Sequence, residues 1–143
     1  LIILVLLTIF SAVYTGQFGA AYMALPLVLG LNLLFVYTLG YCLALIVPLL
    51  PDSKKIVDSS FQLLFFASGI FYDISALDPA MAKILYLNPF ASFLSLYRGI
   101  MLEGSFPSME LLVTPLAATL VLAVLALASR HFLVSRLPKA LLR

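Results

Sequence analysis

No Asp, Glu, Lys or Arg occurs before Asp52, and this uncharged stretch constrains the fold more than any other feature of the chain. A second uncharged stretch covers residues 111–129. A helix needs about 20 apolar residues to cross a hydrocarbon core roughly 30 Å thick, so both stretches are predicted to contain membrane-spanning helices. The chain has 143 residues, of which 64% are hydrophobic and 10% charged. This composition excludes an ordinary soluble domain and predicts an all-α membrane protein.

Two polar breaks divide the uncharged N-terminal part into spans. Residues 15–19 combine two glycines with polar side chains, which is typical of a turn, and Pro48 and Pro51 precede a short charged loop. Four membrane-spanning helices are predicted, at residues 1–14, 20–50, 56–72 and 109–131. The chain starts inside an apolar run without an initiator Met or a basic segment, which favours a fragment beginning within a membrane helix over a signal peptide.

The few charges predict how these spans are oriented, because Lys and Arg concentrate on the cytoplasmic side of short loops. The basic groups are Lys54 with Lys55, and a second set at and beyond the last span, Arg130, Arg136, Lys139 and Arg143. If the apolar run at residues 84–97 crossed the membrane, these two groups would lie on opposite sides. Both are cytoplasmic only if the run turns back. Residues 73–110 are therefore predicted to form an outward-facing re-entrant or interfacial helical hairpin before the last span.

Helix-breaking residues mark this segment. Ser68 and Gly69 precede it, and Asn88 and Pro89 interrupt its apolar run, where proline disfavours a helical conformation in the residue before it. Irregular backbone survives at membrane depth only when it is buried in protein or lines a wet cavity. These four residues are therefore predicted to form helix breaks at a gate, and an interfacial helix packed on neighbouring spans is the alternative.

Three segments of the chain resemble the ABC-2 type permeases. They are FFASGIFYDISAL at residues 65–77, LYLNPF at residues 85–90 and YRGIML at residues 97–102. Within that family the chain looks most like the polysaccharide and polyol-phosphate exporters, which move O-antigen, capsule or teichoic acid chains. The resemblance covers essentially the whole chain. It implies one transmembrane permease domain at residues 1–143 that corresponds to the C-terminal part of a permease.

The resemblance implies a multi-pass permease in the bacterial cytoplasmic (inner) membrane, with these four spans similar to spans three to six of the family's six. Two such permeases pair as a homodimer in the lipid bilayer, and two ABC-type ATPase subunits bind below. The family's main ATPase contacts, an N-terminal amphipathic stretch and a coupling helix, are not in this sequence. The implied function is ATP-driven export of a lipid-linked polysaccharide or teichoic-acid-type polymer. An ABC-2 exporter of drugs or small lipids and a membrane scaffold or anchor subunit are the alternatives.

No catalytic constellation, cofactor motif or metal site is predicted. The sequence lacks a glycine-rich phosphate loop with a lysine, so ATP hydrolysis is expected in a separate partner. Cys42 is the one cysteine, which excludes an intramolecular disulfide and a cysteine metal site, and His131 has no nucleophile or acid partner in a recognisable motif. The net charge of +2 is too small to indicate a nucleic acid partner.

Aromatic residues are the predicted contacts for a polymer. The sequence has 11 Phe and 7 Tyr, and aromatic rings stack on the C–H faces of sugars while tyrosine adds a hydroxyl group. Many weak, replaceable contacts suit a polymer that slides. The predicted substrate-pathway rings are Phe66, Tyr72, Tyr86, Phe90, Phe93 and Tyr97. The alternative for any one of them is ordinary helix packing or an interfacial aromatic belt.

Arg98 is the charge predicted to matter most in the outward-facing segment. It follows an uncharged run, on the side of the membrane where the positive-inside rule does not favour it. It is predicted to pair with Glu103 or Asp73 and so to fix the gate helices, or to meet a phosphate or an acidic sugar as part of the substrate pathway.

The predicted orientation can be tested with single cysteines in the full-length protein on a Cys42→Ser background. We expect an impermeant thiol reagent added outside intact cells to label Asp78→Cys, because that position lies on the outward segment, and to leave Lys139→Cys unlabelled. Permeabilised cells, in which both positions should react, are the control. Labelling of position 139 in intact cells would reverse the orientation.

Overall fold

The structure is a computed structural model that describes residues 13, 20–47 and 52–134. The predicted first span, the turn that follows it and the basic tail with Arg136, Lys139 and Arg143 lie outside the described residues, apart from position 13. Every regular element within the described ranges is helical. The predicted all-α class is therefore confirmed for this part of the chain.

Five α-helices and two short 3₁₀ turns make up the described part. In chain order, a 3₁₀ turn at Ala20–Ala24 leads into α1 (Leu25–Ile46), and these are followed by α2 (Ser53–Phe66), a 3₁₀ turn at Ile74–Ala76, α3 (Pro79–Leu85), α4 (Pro89–Leu102) and α5 (Met109–Val134).

Two of these helical segments are long and apolar enough to cross a membrane. They are Ala20–Leu45, with a mean hydropathy of 1.9, and Met109–Ser129, with a mean hydropathy of 2.5. In the most apolar stretch of 18 residues, only 22% of the residues of the first segment and 11% of those of the second are buried inside the protein. Most of their side chains therefore point outwards. A helix that is apolar all round yet exposed matches a lipid environment, because water-soluble proteins rarely expose apolar surfaces of this size.

The helix predicted at residues 56–72 has different bounds in the structure. α2 covers Ser53–Phe66, and its 14 residues give a length of about 21 Å at 1.5 Å per residue. The helix ends because the Ser68 hydroxyl donates to the carbonyl of Phe65 at 2.6 Å and Gly69 adopts a φ of +75°. Residues 67–72 therefore form a turn instead of the last part of a continuous span.

α4 packs between α1 and α5 and runs antiparallel to α1. Its first turn brings the Phe90 ring to Phe35, its middle places Tyr97 beside Asn32, and its end meets Tyr22. The Cys42 thiol donates to the carbonyl of Leu122 at 3.6 Å, which places the second half of α1 beside the middle of α5. The core between the three helices consists of Leu25, Val28, Phe35, Phe93, Leu96, Ile100 and Leu112.

Both short helices of the outer segment begin with the same local arrangement. The Asp78 carboxylate accepts from the backbone N–H of Ala80 at 3.1 Å, and the Asn88 amide oxygen accepts from that of Phe90 at 3.0 Å. Each capping residue is followed by a proline, which has no N–H to satisfy and fits the first turn of a helix. Both X–Pro pairs are thus helix starts, and the second pair divides the apolar run at residues 84–97 between α3 and α4.

Gly69 tests whether the turn after α2 is as tight as the structure indicates. A Cβ at this residue would lie 2.7 Å from Cγ1 of the buried Ile74, in a backbone conformation that L side chains rarely adopt. We expect Gly69→Ala to destabilise the protein by about 1–3 kcal/mol, measured by thermal unfolding of the purified full-length protein in detergent. Gly40→Ala is the matched control, because a Cβ at Gly40 meets no atom within 4 Å. Equal stability of the two variants would contradict this turn geometry.

Candidate functional site

A polar cavity of about 620 Å³ lies beside the C-terminal half of α4. Two loops contribute to its lining, namely residues 67–73 after α2 and residues 103–108 after α4. The lining residues with polar or aromatic side chains include Tyr72, Asp73, Tyr86, Ser95, Arg98 and Glu103. Three of the seven predicted substrate-pathway residues, Tyr72, Tyr86 and Arg98, therefore meet in one cavity.

Arg98 holds the loop that follows α2. Its guanidinium nitrogens donate to the carbonyl of Tyr72 at 3.4 Å and to that of Ile70 at 3.3 Å. These hydrogen bonds go to backbone oxygens, whereas Glu103 or Asp73 was the predicted partner. The backbone carbonyls of a tight turn lack partners in a helix or strand, and an arginine has enough donors to satisfy two of them at once.

Asp73 presents an ionised carboxylate to the cavity. Its Oδ1 accepts from the Ser75 hydroxyl at 2.8 Å and from the Ser75 backbone N–H at 2.9 Å. These two hydrogen bonds, with a smaller contribution from the positive charge of Arg98, hold the pKa of the Asp73 carboxyl below its ordinary value. Both bonds end on the same carboxylate oxygen, Oδ1.

Tyr86 reaches the cavity from the turn between α3 and α4. The Ser95 hydroxyl donates to the phenol oxygen of Tyr86 at 3.5 Å, and the Ser92 hydroxyl donates to its backbone carbonyl at 3.1 Å. Sequence reasoning missed these two serines. Their spacing of three residues, which places them on one face of a helix, is the signal that could have found them.

Phe90 lies in a second, apolar cavity of about 690 Å³ between α1, α2 and α5. Its ring makes edge-to-face contacts with Phe35 at 5.5 Å and with Phe61 at 6.2 Å between centroids. Pro89 and Leu87 also line this cavity. The turn between α3 and α4 thus separates a polar cavity from an apolar one.

The other predicted rings do not reach the polar cavity. Phe93 is only 4% exposed and packs against Phe35 in the core, which is the packing alternative given for any one of the predicted rings. Tyr97 is half-buried, and its phenol oxygen accepts from the amide of Asn32 at 3.2 Å. Phe66 is 53% exposed and stacks on Phe71 with 6.0 Å between centroids.

Asn88 has a second function that the sequence did not indicate. Besides capping α4 through its amide oxygen, it donates from its amide nitrogen to the carbonyl of Leu64 at 2.9 Å. Leu64 lies in the last turn of α2, where helix carbonyls lack intrahelical partners. The choice of Asn could have indicated this role, since an amide can accept and donate at once and an Asp or Ser cap usually only accepts.

The fold is that of a helical membrane protein in which a broken helical segment packs beside the spans. The chain belongs to the ABC-2 type transporter family, whose model matches residues 1–102. This family consists of membrane-embedded transport permeases and is not an enzyme class.

One curated relative gives a more specific comparison. The chain is 33% identical over 110 residues to the O-antigen export system permease protein RfbA of Myxococcus xanthus. The matched region covers 75% of this chain and 42% of the relative, so the chain spans less than half the length of that protein. No solved structure matches the chain.

The double role of Asn88 can be separated with two substitutions. Asn88→Ser keeps a capping oxygen but cannot reach Leu64, so we expect a loss of about 1–2 kcal/mol in stability from the unpaired carbonyl. Asn88→Ala also removes the cap and should cost about 1 kcal/mol more. Chemical unfolding of the full-length protein in detergent measures both values. The control is Asp78→Ser, because the Asp78 side chain caps only its own helix α3, and this variant should have unchanged stability. Equal stability of Asn88→Ser and wild type would refute the link to α2.

Proposed function

We propose that this chain is the C-terminal part of the permease subunit of an ATP-driven ABC exporter. Its cargo is a lipid-linked polysaccharide or teichoic-acid-type polymer, which crosses the bacterial cytoplasmic (inner) membrane. The observation that carries this proposal is the 33% identity to a permease named for O-antigen export, within a family of transport permeases. Residues 1–143 form one transmembrane permease domain in this proposal.

The proposed topology has four spans and a re-entrant segment that faces outwards. The spans are residues 1–14, α1 with its preceding turn, α2, and α5. The tip of the α3–α4 segment supports the re-entrant assignment, because the Phe90 ring contacts Phe35, ten residues into α1 from Leu25. That separation is about 15 Å along the helix, half of a hydrocarbon core roughly 30 Å thick.

The polar groups of the segment are satisfied in a way that suits this depth. At the turn, the backbone N–H of Asn88 donates to the carbonyl of Leu85 at 3.0 Å. The hydroxyl of the fully buried Ser92 donates to the backbone carbonyl of Tyr86. Among the described residues, no buried side-chain nitrogen or oxygen lacks a hydrogen-bond partner. Irregular backbone tolerates a membrane interior only when its own N–H and C=O groups also have partners, as those of Asn88, Leu85 and Tyr86 named above do.

Transport in this proposal uses two copies of the permease as a homodimer, with an ABC-type ATPase as the partner that hydrolyses ATP. ATP-driven closure of the ATPase subunits opens the pathway between the two permeases. In each copy Tyr72, Tyr86, Phe66 and Phe90 offer replaceable contacts to the moving polymer, since their rings lie at cavities or at the surface. Arg98 acts as a positioning residue, because it fixes the loop that carries Tyr72.

Polymer export in cells tests the proposed function. In a deletion strain complemented with the full-length gene, we expect Tyr72→Ala with Tyr86→Ala to lower surface polymer at least several-fold, because both rings of the polar cavity are removed. Membrane levels and co-purification of the ATPase should stay unchanged. Met81→Ala, at an exposed apolar side chain of α3, is the control.

Two results would contradict the proposal. If the deletion strain itself kept normal surface polymer, the cargo would not be a polymer, and altered drug susceptibility in that strain would instead indicate an exporter of drugs or small lipids. If the strain lost its polymer but the double variant restored it fully, the two rings would have no part in transport.

A further inference from the structure

We propose that the 620 Å³ cavity is a subsite for electrically neutral sugar units and that it disfavours phosphate-linked polymers. This inference rests on the proposed function and narrows its cargo to a neutral polysaccharide. It concerns the cavity between α4 and the two loops at residues 67–73 and 103–108.

The side chains around the cavity provide the two kinds of contact that a sugar ring needs. Tyr72, Tyr86 and Phe106 supply aromatic faces for the C–H side of a ring. Ser95, Ser105 and the carboxylates supply acceptors and donors for its hydroxyl groups. A volume of about 620 Å³ lies within the range of small-ligand sites, which is roughly 300–1,000 Å³.

The charges around the cavity decide between a neutral sugar and a phosphate. Its lining contains two carboxylates, Asp73 and Glu103, and one cation, Arg98. Arg98 directs hydrogen bonds from two of its nitrogens to the carbonyls of Ile70 and Tyr72, so part of its donor capacity is already used. The cavity thus has a net charge of about −1, and a phosphodiester meets like charge there, whereas carboxylates accept hydrogen bonds from sugar hydroxyls.

The cavity is held in shape before any ligand arrives. Arg98 ties the first loop to α4, and the backbone N–H of Ser105 donates to the carbonyl of Gly99 at 2.9 Å, which ties the second loop to the same helix. A Cβ at Gly99 would lie 2.9 Å from the Ser105 hydroxyl, so loop and helix approach each other closely here. A preformed site loses less conformational entropy on binding.

The test is saturation-transfer NMR on the purified full-length permease in nanodiscs of zwitterionic lipid. The probes are neutral oligosaccharides of mannose, galactose, rhamnose and N-acetylglucosamine, and an oligomer of poly(glycerol phosphate). We expect at least one neutral probe to bind, with its signal reduced at least fivefold in Tyr72→Ala with Tyr86→Ala, and the phosphate oligomer to give no signal. Binding of no neutral probe, or tighter binding of the phosphate oligomer, overturns the subsite.

A variant with both carboxylates neutralised provides the second part of the test. Asp73→Asn with Glu103→Gln changes the charge of the cavity from about −1 to +1, and the amide introduced at position 73 retains an oxygen for the Ser75 hydrogen bonds. We expect this variant to bind poly(glycerol phosphate) at least tenfold better than wild type does. Asp78→Asn with Glu110→Gln makes the same change of net charge outside the cavity lining and should not bind it; equal gains in both variants would refute the assignment.

The outcomes separate this subsite from the proposed function. Polymer export that depends on the permease in cells, without binding of any neutral probe at the cavity, would refute the subsite and leave the exporter assignment standing. Normal surface polymer in the deletion strain would refute the exporter assignment whatever the NMR result.

Discussion

The geometry of the outer segment depends on the two hydrogen bonds of the Asn88 side chain, one to the start of α4 and one to the end of α2. With only 8% of the residue exposed, these bonds lie in a low dielectric, where a satisfied polar group is stable and an unsatisfied one is costly. The turn around Asn88 places Tyr86 on the polar cavity and Phe90 on the apolar one. One carboxamide therefore sets the positions of both rings and the attachment of α2.

Much of the fold could be predicted from the sequence, because the signals that define it are local. Uncharged runs predict the apolar helices, the last helix is expected at residues 109–131 and found at Met109–Val134, and the break predicted at Asn88 and Pro89 is the start of α4. The predicted end of α2 lies several residues too late. Residues 67–72 are uncharged like the helix before them, so hydropathy gives no sign of an end. The turn there depends on the hydrogen bond of Ser68 and on the packing of Ile74 against Gly69.

The candidate site was harder to predict, because its contacts join residues far apart in the chain. The sequence indicated Arg98 as a candidate and suggested carboxylates as its partners, because opposite charges are the partners that can be recognised from residue types alone. The structure instead uses the carbonyls of Ile70 and Tyr72, which no composition or spacing reveals. Burial likewise separates Phe93 from Tyr86, although the two lie within one aromatic-rich stretch.

The paired Asp–Pro and Asn–Pro starts of α3 and α4 also bear on how the segment enters the bilayer. Each proline removes one amide proton from the first turn, and each preceding side chain accepts another, so fewer polar groups remain to be dehydrated at each helix start. These arrangements form within a few neighbouring residues and need no long-range partner. The local caps therefore lower the cost of placing the two helix starts in the bilayer, whereas the position of the segment still depends on its contacts with α1, α2 and α5.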